Sequence, residues 1–179
     1  MRKTMSMQLY GKKNLALLGA MCLFLSAIEY MIPKPLPFMR IGLANLPVML
    51  AVDILPLSSF LVLIGIKIFG QALITGTLFS YVLLFSIAGT FFSALLMFAL
   101  RRIFGHTGIT FVGIGAAGAM VSNAAQLALA QVFLLKENVR YIAPPFLAAG
   151  LVTGIALGIF CEVFSRSSRY YRMNLLHKL

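Results

Sequence analysis

Several polar side chains of this sequence lie within or beside long apolar stretches, where a charge or an amide is costly unless it has a binding partner. They comprise one carboxylate, two cations and four amides, which together can bind a polar solute through hydrogen bonds and ion pairs. These candidate substrate-binding residues are Glu29, Arg40, Asn45, Lys67, Gln71, Asn123 and Gln126.

Covalent chemistry has little support in the sequence. The four acidic residues are widely separated along the chain: Glu29, Asp53, Glu137 and Glu162. No carboxylate cluster suited to Mg²⁺ is therefore present, and no G-x-x-x-x-G-K-[ST] nucleotide motif occurs. His106 and His177 stand in basic segments, while Cys22 and Cys161 lie in apolar runs that favour neither a disulfide framework nor a metal cluster. We predict no catalytic site, no metal and no cofactor, and hence no enzyme.

Long apolar runs must position the candidate residues. The chain has 179 residues, a mean hydropathy of +0.98 and only 11% charged residues, against about a quarter in soluble proteins. Because about 20 apolar residues cross a membrane, we predict an all-α integral membrane protein with one domain over residues 1–179. The six expected transmembrane helices cover 14–32, 41–55, 57–75, 77–100, 108–135 and 143–164.

Basic residues fall mainly on one side of such a path. That side holds Arg2, Lys3, Lys12, Lys13, Arg101, Arg102, Arg166, Arg169, Arg172 and Lys178, and the other holds Lys34, Arg40, Lys136 and Arg140. The positive-inside rule places both termini in the cytoplasm, so we expect a multi-pass protein of the cytoplasmic membrane. Attraction to lipid headgroups explains the net charge of +11 better than nucleic-acid binding does. The run 15–28 is also similar to a signal peptide, but no A-x-A cleavage site follows it, which favours a retained helix.

With this orientation, all the candidate residues belong to the outer half of the membrane, and Tyr81 and Gln131 are predicted at the same depth. Such a set predicts a substrate cavity open to the outside. The alternative is that the amides join helices to one another and that Glu29 simply pairs with a nearby cation. Asp53 and Glu162 are expected near the cytoplasmic ends, where water or headgroups can reach them.

The segment between the first two spans has the composition of a stiff cover for the cavity. Prolines alternate at 33, 35 and 37, and each disfavours helical geometry in the residue before it. Gly42 would let the second helix begin close to a neighbour or a ligand, with Asn45 one turn further inward. The alternative is an ordinary stiff connection between two helices.

Helix 1 also carries an A-x-x-x-A pattern, formed by Ala16 and Ala20. Small residues four apart let another helix approach closely. Glu29 is about 180° around the helix from Ala20, so the two should lie on opposite faces. Small residues of helix 5 (Gly113, Gly115, Gly118 and Ala119) are expected to pack inside the bundle.

Glu29 begins the pattern E-x3-P-x3-P-x2-R-x-G-L-A-N, which ends at Asn45 within RIGLANLPVML (40–50). With it, the whole chain resembles the heptaprenyl diphosphate synthase component I family, also called the Gx transporter family. That family is similar to the substrate-binding S components of energy-coupling factor (ECF) transporters. The resemblance implies six helices, both termini inside and an outward site covered by the first loop. It also implies that Ala16 and Ala20 match the alanine motif that docks a transmembrane coupling subunit.

We therefore expect the S subunit of an ECF-type importer that captures a small molecule. Its expected partners are membrane lipid, the coupling subunit and the ATPases of an ECF module, with no nucleic acid. The alternative is a membrane accessory subunit of prenyl diphosphate or quinone synthesis without its own catalytic site. The ligand stays open at this point, since Lys67 and Arg40 favour an anion and Glu29 favours an amine. A vitamin-like molecule, a flavin and an isoprenoid precursor are all compatible with these residues.

The orientation can be tested with single cysteines in intact cells. Because the basic residues favour cytoplasmic termini, cysteines at Thr4 and Ser168 should be protected from a membrane-impermeant thiol reagent, and one at Asn138 should be labelled. Labelling at Ser168 but not at Asn138 would reverse the orientation.

Overall fold

The protein is an all-α bundle in a computed structural model that describes residues 2–33, 41–135, 139–169, 171 and 173. Within these ranges there are six α-helices and no strand: α1 (Arg2–Met31), α2 (Asn45–Ile54), α3 (Leu57–Ile74), α4 (Tyr81–Gly108), α5 (Phe111–Ala130) and α6 (Val139–Ser167). A short π-helix, Gln131–Leu135, continues α5. Five of the helices are long and apolar enough to cross a membrane, and only α2 is shorter. The predicted fold class is confirmed, and the chain has the helices of a multi-pass membrane protein.

The helix ends differ from the predicted spans where turns interrupt the apolar runs. The second helix begins at Asn45 rather than at 41, because Gly42 has a φ of +91° and a turn precedes the helix. The fourth begins at Tyr81 rather than at 77, where the Ser80 side chain accepts a hydrogen bond from the Val82 N–H. It also continues past residue 100 to Gly108, with a break at Gly105, whose φ is +66°.

The short helix α2 lies at the centre of the bundle. It contacts each of the five other helices, and its residues from Leu46 to Asp53 are all buried. Pro47 is in its first turn, where the missing N–H removes no helical hydrogen bond. Ten residues reach only about 15 Å, half the thickness of a hydrocarbon core. Non-helical chain next to α2 must therefore cross the rest of that thickness.

Small residues bring α5 and α6 into close contact. Gly150, Gly154 and Gly158 recur every four residues along α6. A Cβ atom added at Gly154 would lie 2.6 Å from the Ala119 Cβ, and one added at Gly115 would lie 2.4 Å from the Gly154 carbonyl oxygen. The helix backbones therefore touch, which is how membrane helices gain van der Waals contact.

The four small residues of helix 5 singled out in the sequence have different neighbours. Gly115 and Ala119 pack against α6, and a Cβ atom at Gly118 would clash with Met97 of α4. The nearest atoms to a Cβ at Gly113 would belong to Ile109 and Thr110 of its own chain turn.

An ion pair is buried at the end of the bundle opposite to Glu29. Arg101 of α4 donates to both oxygens of Asp53 on α2, at 2.8 and 3.0 Å, and to the Ile109 carbonyl at 2.5 Å. Its guanidinium lies 4.4 Å from the centre of the Phe111 ring. The Tyr171 hydroxyl also donates to Asp53. We call Asp53, Arg101 and Tyr171 the inner cluster.

The expectation that water or headgroups reach Asp53 was wrong, because the residue is only 3% exposed and Arg101 neutralises it from within the protein. Burial and the nearby Asp53 charge raise the pKa of Tyr171 well above its usual range, so its hydroxyl stays a donor. Glu162 remains partly exposed and pairs with Arg166 at 3.0 Å. The inner cluster therefore links the chain after α6 to the end of α2 and to the C-terminal part of α4.

Removing one member of the buried pair should destabilise the bundle strongly. In Arg101→Met the Asp53 charge stays buried without its guanidinium, which typically costs about 3–5 kcal/mol. The matched variant Arg166→Met removes an exposed ion pair and should cost about 0–1 kcal/mol. Thermal unfolding of the purified variants in detergent measures both. Equal melting temperatures for the two variants would contradict a stabilising role for the inner cluster.

Candidate ligand-binding site

All six helices line one cavity. It lies where α1 ends and α2 begins, and its free volume, including solvent at its mouth, is about 560 Å³. The part that the centre of a water molecule can reach is about 30 Å³, which corresponds to only two or three waters, so a larger ligand requires the cavity to widen. The polar lining residues are Glu29, Asn45, Lys67, Gln71, Thr90, Ser122, Asn123, Gln126 and Thr153.

Six of the seven candidate substrate-binding residues meet in this cavity, from α1 (Glu29), α2 (Asn45), α3 (Lys67 and Gln71) and α5 (Asn123 and Gln126). The seventh, Arg40, lies outside the described residues, as do residues 34–39 of the proposed cover. Tyr81 and Gln131 were wrongly assigned to the set, because both are exposed and neither lines the cavity.

The two charged residues of the lining are almost fully buried. Glu29 is 1% exposed and Lys67 is 3% exposed. The Glu29 Oε1 accepts the Gly42 N–H at 3.2 Å, and the Lys67 ammonium donates to the Asn45 Oδ1. Gly42 is required here, because its positive φ is unfavourable for other residues. These two bonds hold the turn before α2 against α1 and α3.

The two amides of α5 are positioned by glycines on the neighbouring helices. Asn123 donates from Nδ2 to the Phe146 carbonyl at 3.0 Å, and a Cβ at Gly150 would lie 1.9 Å from that same nitrogen. Gln126 donates from Nε2 to the Ser122 Oγ at 3.1 Å, and a Cβ at Gly89 would lie 2.6 Å from Nε2. Sequence reasoning found the amides but missed these glycines.

Apolar and small residues form the rest of the wall. Met49 and Met97 are buried thioethers, which adapt well to irregular shapes. The α5–α6 contact supplies Gly115, Ala119 and Gly154 to the lining, so that part of the wall is smooth. Such a cavity combines polar groups that orient a ligand with an apolar surface that contacts its body.

Three hydroxyls of the lining were also missed. Thr90, Ser122 and Thr153 carry no charge, and hydroxyls are common in membrane helices because they bond to their own backbone. Thr153 does so here, donating to the Gly150 carbonyl at 3.0 Å. Of the three, only Ser122 could have been predicted from the sequence. It stands four residues before Gln126 and therefore on the same helix face.

The structure places Ala16 and Ala20 on an exposed face of α1, away from the cavity. Leu17 and Phe24 beside them are 45% and 66% exposed. Glu29 is buried on the other side of the same helix. This exposed face, defined by Ala16, Leu17, Ala20 and Phe24, is called the α1 face below.

The described residues therefore define a helical membrane protein with a polar cavity enclosed by the bundle. No group of three or more histidine, cysteine, aspartate or glutamate side chains among them could hold a metal ion. The model of one protein family, heptaprenyl diphosphate synthase component I, matches residues 18–164. The chain belongs to this family. Searches of curated proteins and of solved structures gave no significant match.

Proposed function

We propose that this chain captures a small polar molecule at the outer side of the cell membrane as the S subunit of an ECF-type importer. One observation carries the proposal: polar groups from every helix line a single cavity inside an otherwise apolar bundle. Buried polar groups in a membrane protein are costly, and a solute site is a common reason for them.

The lining residues favour binding over catalysis. The Glu29 carboxylate accepts a backbone N–H and the Lys67 ammonium donates to an amide oxygen, so both are engaged in hydrogen bonds that orient them. Neither histidine nor cysteine is among the described residues that line the cavity. These groups can select a solute by shape and hydrogen bonding, as expected of a capture subunit.

Accumulation of a solute needs an energy source, which the sequence does not provide through a nucleotide motif. We therefore propose that a transmembrane coupling subunit, joined to ATPases, docks on the α1 face. Small exposed side chains at Ala16 and Ala20 allow the backbone of a partner helix to approach. The docking surface and the cavity lie on different sides of α1, so they can be altered separately.

A second function is favoured by the description of the family. A heptaprenyl diphosphate synthase component would act as a membrane accessory subunit in prenyl diphosphate synthesis and would assist a catalytic partner. In that case purified protein should bind the partner enzyme, and substitutions in the cavity should change prenyl chain synthesis without affecting uptake of any solute.

The cavity can be tested by ligand binding to the purified protein. Thermal-shift screening of vitamins and prenyl precursors would first supply a ligand. Glu29→Ala, Asn45→Ala and Asn123→Ala should then each weaken its binding about 5- to 150-fold, because a lost hydrogen bond to a buried group costs about 1–3 kcal/mol. Ser93→Ala is the control, since Ser93 is buried but does not line the cavity. Unchanged affinity with reduced stability in all three variants would favour a purely structural role.

Docking can be tested by adding bulk to the α1 face. Ala16→Trp or Ala20→Trp should hold a partner helix several ångströms away and abolish both co-purification of the coupling subunits and cellular uptake. Ligand binding should remain intact. Val152→Trp adds the same bulk to an exposed site on α6, where the native side chain is 67% exposed, and should leave uptake unchanged. Full uptake by the Ala16→Trp/Ala20→Trp double variant would contradict the docking role.

A further inference from the structure

The deep wall of the cavity contains a hydrogen-bond acceptor that the described residues do not satisfy. Gln126 is 2% exposed and lines the cavity. Its Nε2 donates to the Ser122 Oγ at 3.1 Å, whereas its Oε1 is buried and has no hydrogen-bond partner there. Buried polar atoms without a partner are rare in native proteins, because each costs free energy. An N–H or O–H group of a ligand would satisfy this oxygen.

The charges of the described lining do not suit a diphosphate. They are one carboxylate, Glu29, and one ammonium, Lys67, and the ammonium already donates to Asn45. A diphosphate needs several cations or backbone N–H donors, or Mg²⁺ held by clustered carboxylates. A polyanion here would instead meet the Glu29 carboxylate and the oxygen of Gln126. A net-neutral ligand avoids both conflicts.

We infer that the ligand is a net-neutral molecule that donates an N–H or O–H group to the Gln126 Oε1, and that it is not a diphosphate ester. This inference deepens the proposed capture function and names the ligand chemistry of the same site. The smooth wall of Gly115, Ala119 and Gly154 and the thioethers of Met49 and Met97 contact the apolar body of the ligand.

Two pairs of probes test the two parts of the inference. One pair tests the need for an N–H donor, and the other tests the exclusion of a diphosphate. Uracil is neutral, flat and rich in N–H groups, and 1,3-dimethyluracil has the same ring without them. Isopentenol is a neutral O–H donor, and isopentenyl diphosphate carries the same chain on a polyanion. Thermal shift and calorimetry on the purified full-length protein, at up to about 10 mM probe, measure binding. Uracil or isopentenol should bind at least about 5-fold more tightly than its partner, since an unmet acceptor costs that much or more.

The variant Gln126→Met tests whether the acceptor itself is responsible. It keeps an unbranched side chain of similar volume but removes the unsatisfied oxygen, so the bundle should stay folded. Binding of the neutral donor should fall about 5- to 150-fold, while the N-methylated probe should be unaffected. The control Ser93→Ala should bind like the wild type.

Several outcomes would overturn the inference. They are tighter binding of isopentenyl diphosphate than of isopentenol, equal binding of the two uracils, no effect of Gln126→Met, or no binding of either neutral donor. A different result would contradict the proposed transport function. If a neutral donor binds through Gln126 but cells do not take it up, the ligand chemistry stands and the importer role does not.

Discussion

The structure depends on a helix that is too short for the membrane. The helix α2 spans about 15 Å, and it is enclosed by the other five helices. The chain before it therefore contains non-helical backbone at membrane depth, which is tolerated only where protein or a cavity surrounds it. The Glu29 carboxylate accepts a hydrogen bond from the Gly42 N–H, and the Lys67 ammonium donates one to Asn45 in the first turn of α2. All four of these residues line the polar cavity.

The C-terminal end of α2 also carries a buried polar side chain that needs a partner inside the protein. Asp53 is its penultimate residue, and the bidentate contact with Arg101 neutralises it inside the protein. Thus a polar group stands near each end of a helix that is otherwise apolar, and each group is bound by a cation from another helix. These two contacts link the two ends of α2 to α3 and α4. The close α5–α6 packing through glycines then completes the wall of the cavity.

The sequence predicted the parts of this fold that follow from solvation alone. Apolar runs gave the six helices, and the cost of burying polar groups indicated that Glu29, Lys67 and Gln126 would face inward. Partners distant in sequence could not be predicted, because Asp53 and Arg101 are brought together only by helix packing. Depth alone could not show that Tyr81, which begins α4 as expected, does not line the cavity. The glycine row of α6 is visible in the sequence, but the residues of α5 that pack against it are not.

The central claim is that the cavity is open to the outside, as capture of a solute from that side requires. Thr153→Cys, on the cavity wall in the middle of α6, and Ser167→Cys, at the exposed C-terminal end of that helix, test it with a small membrane-impermeant methanethiosulfonate cation. The native cysteines are both buried, so background labelling should be low. We predict that Thr153→Cys is labelled in intact cells and Ser167→Cys only in inside-out vesicles. Labelling of Thr153→Cys only in inside-out vesicles would contradict it.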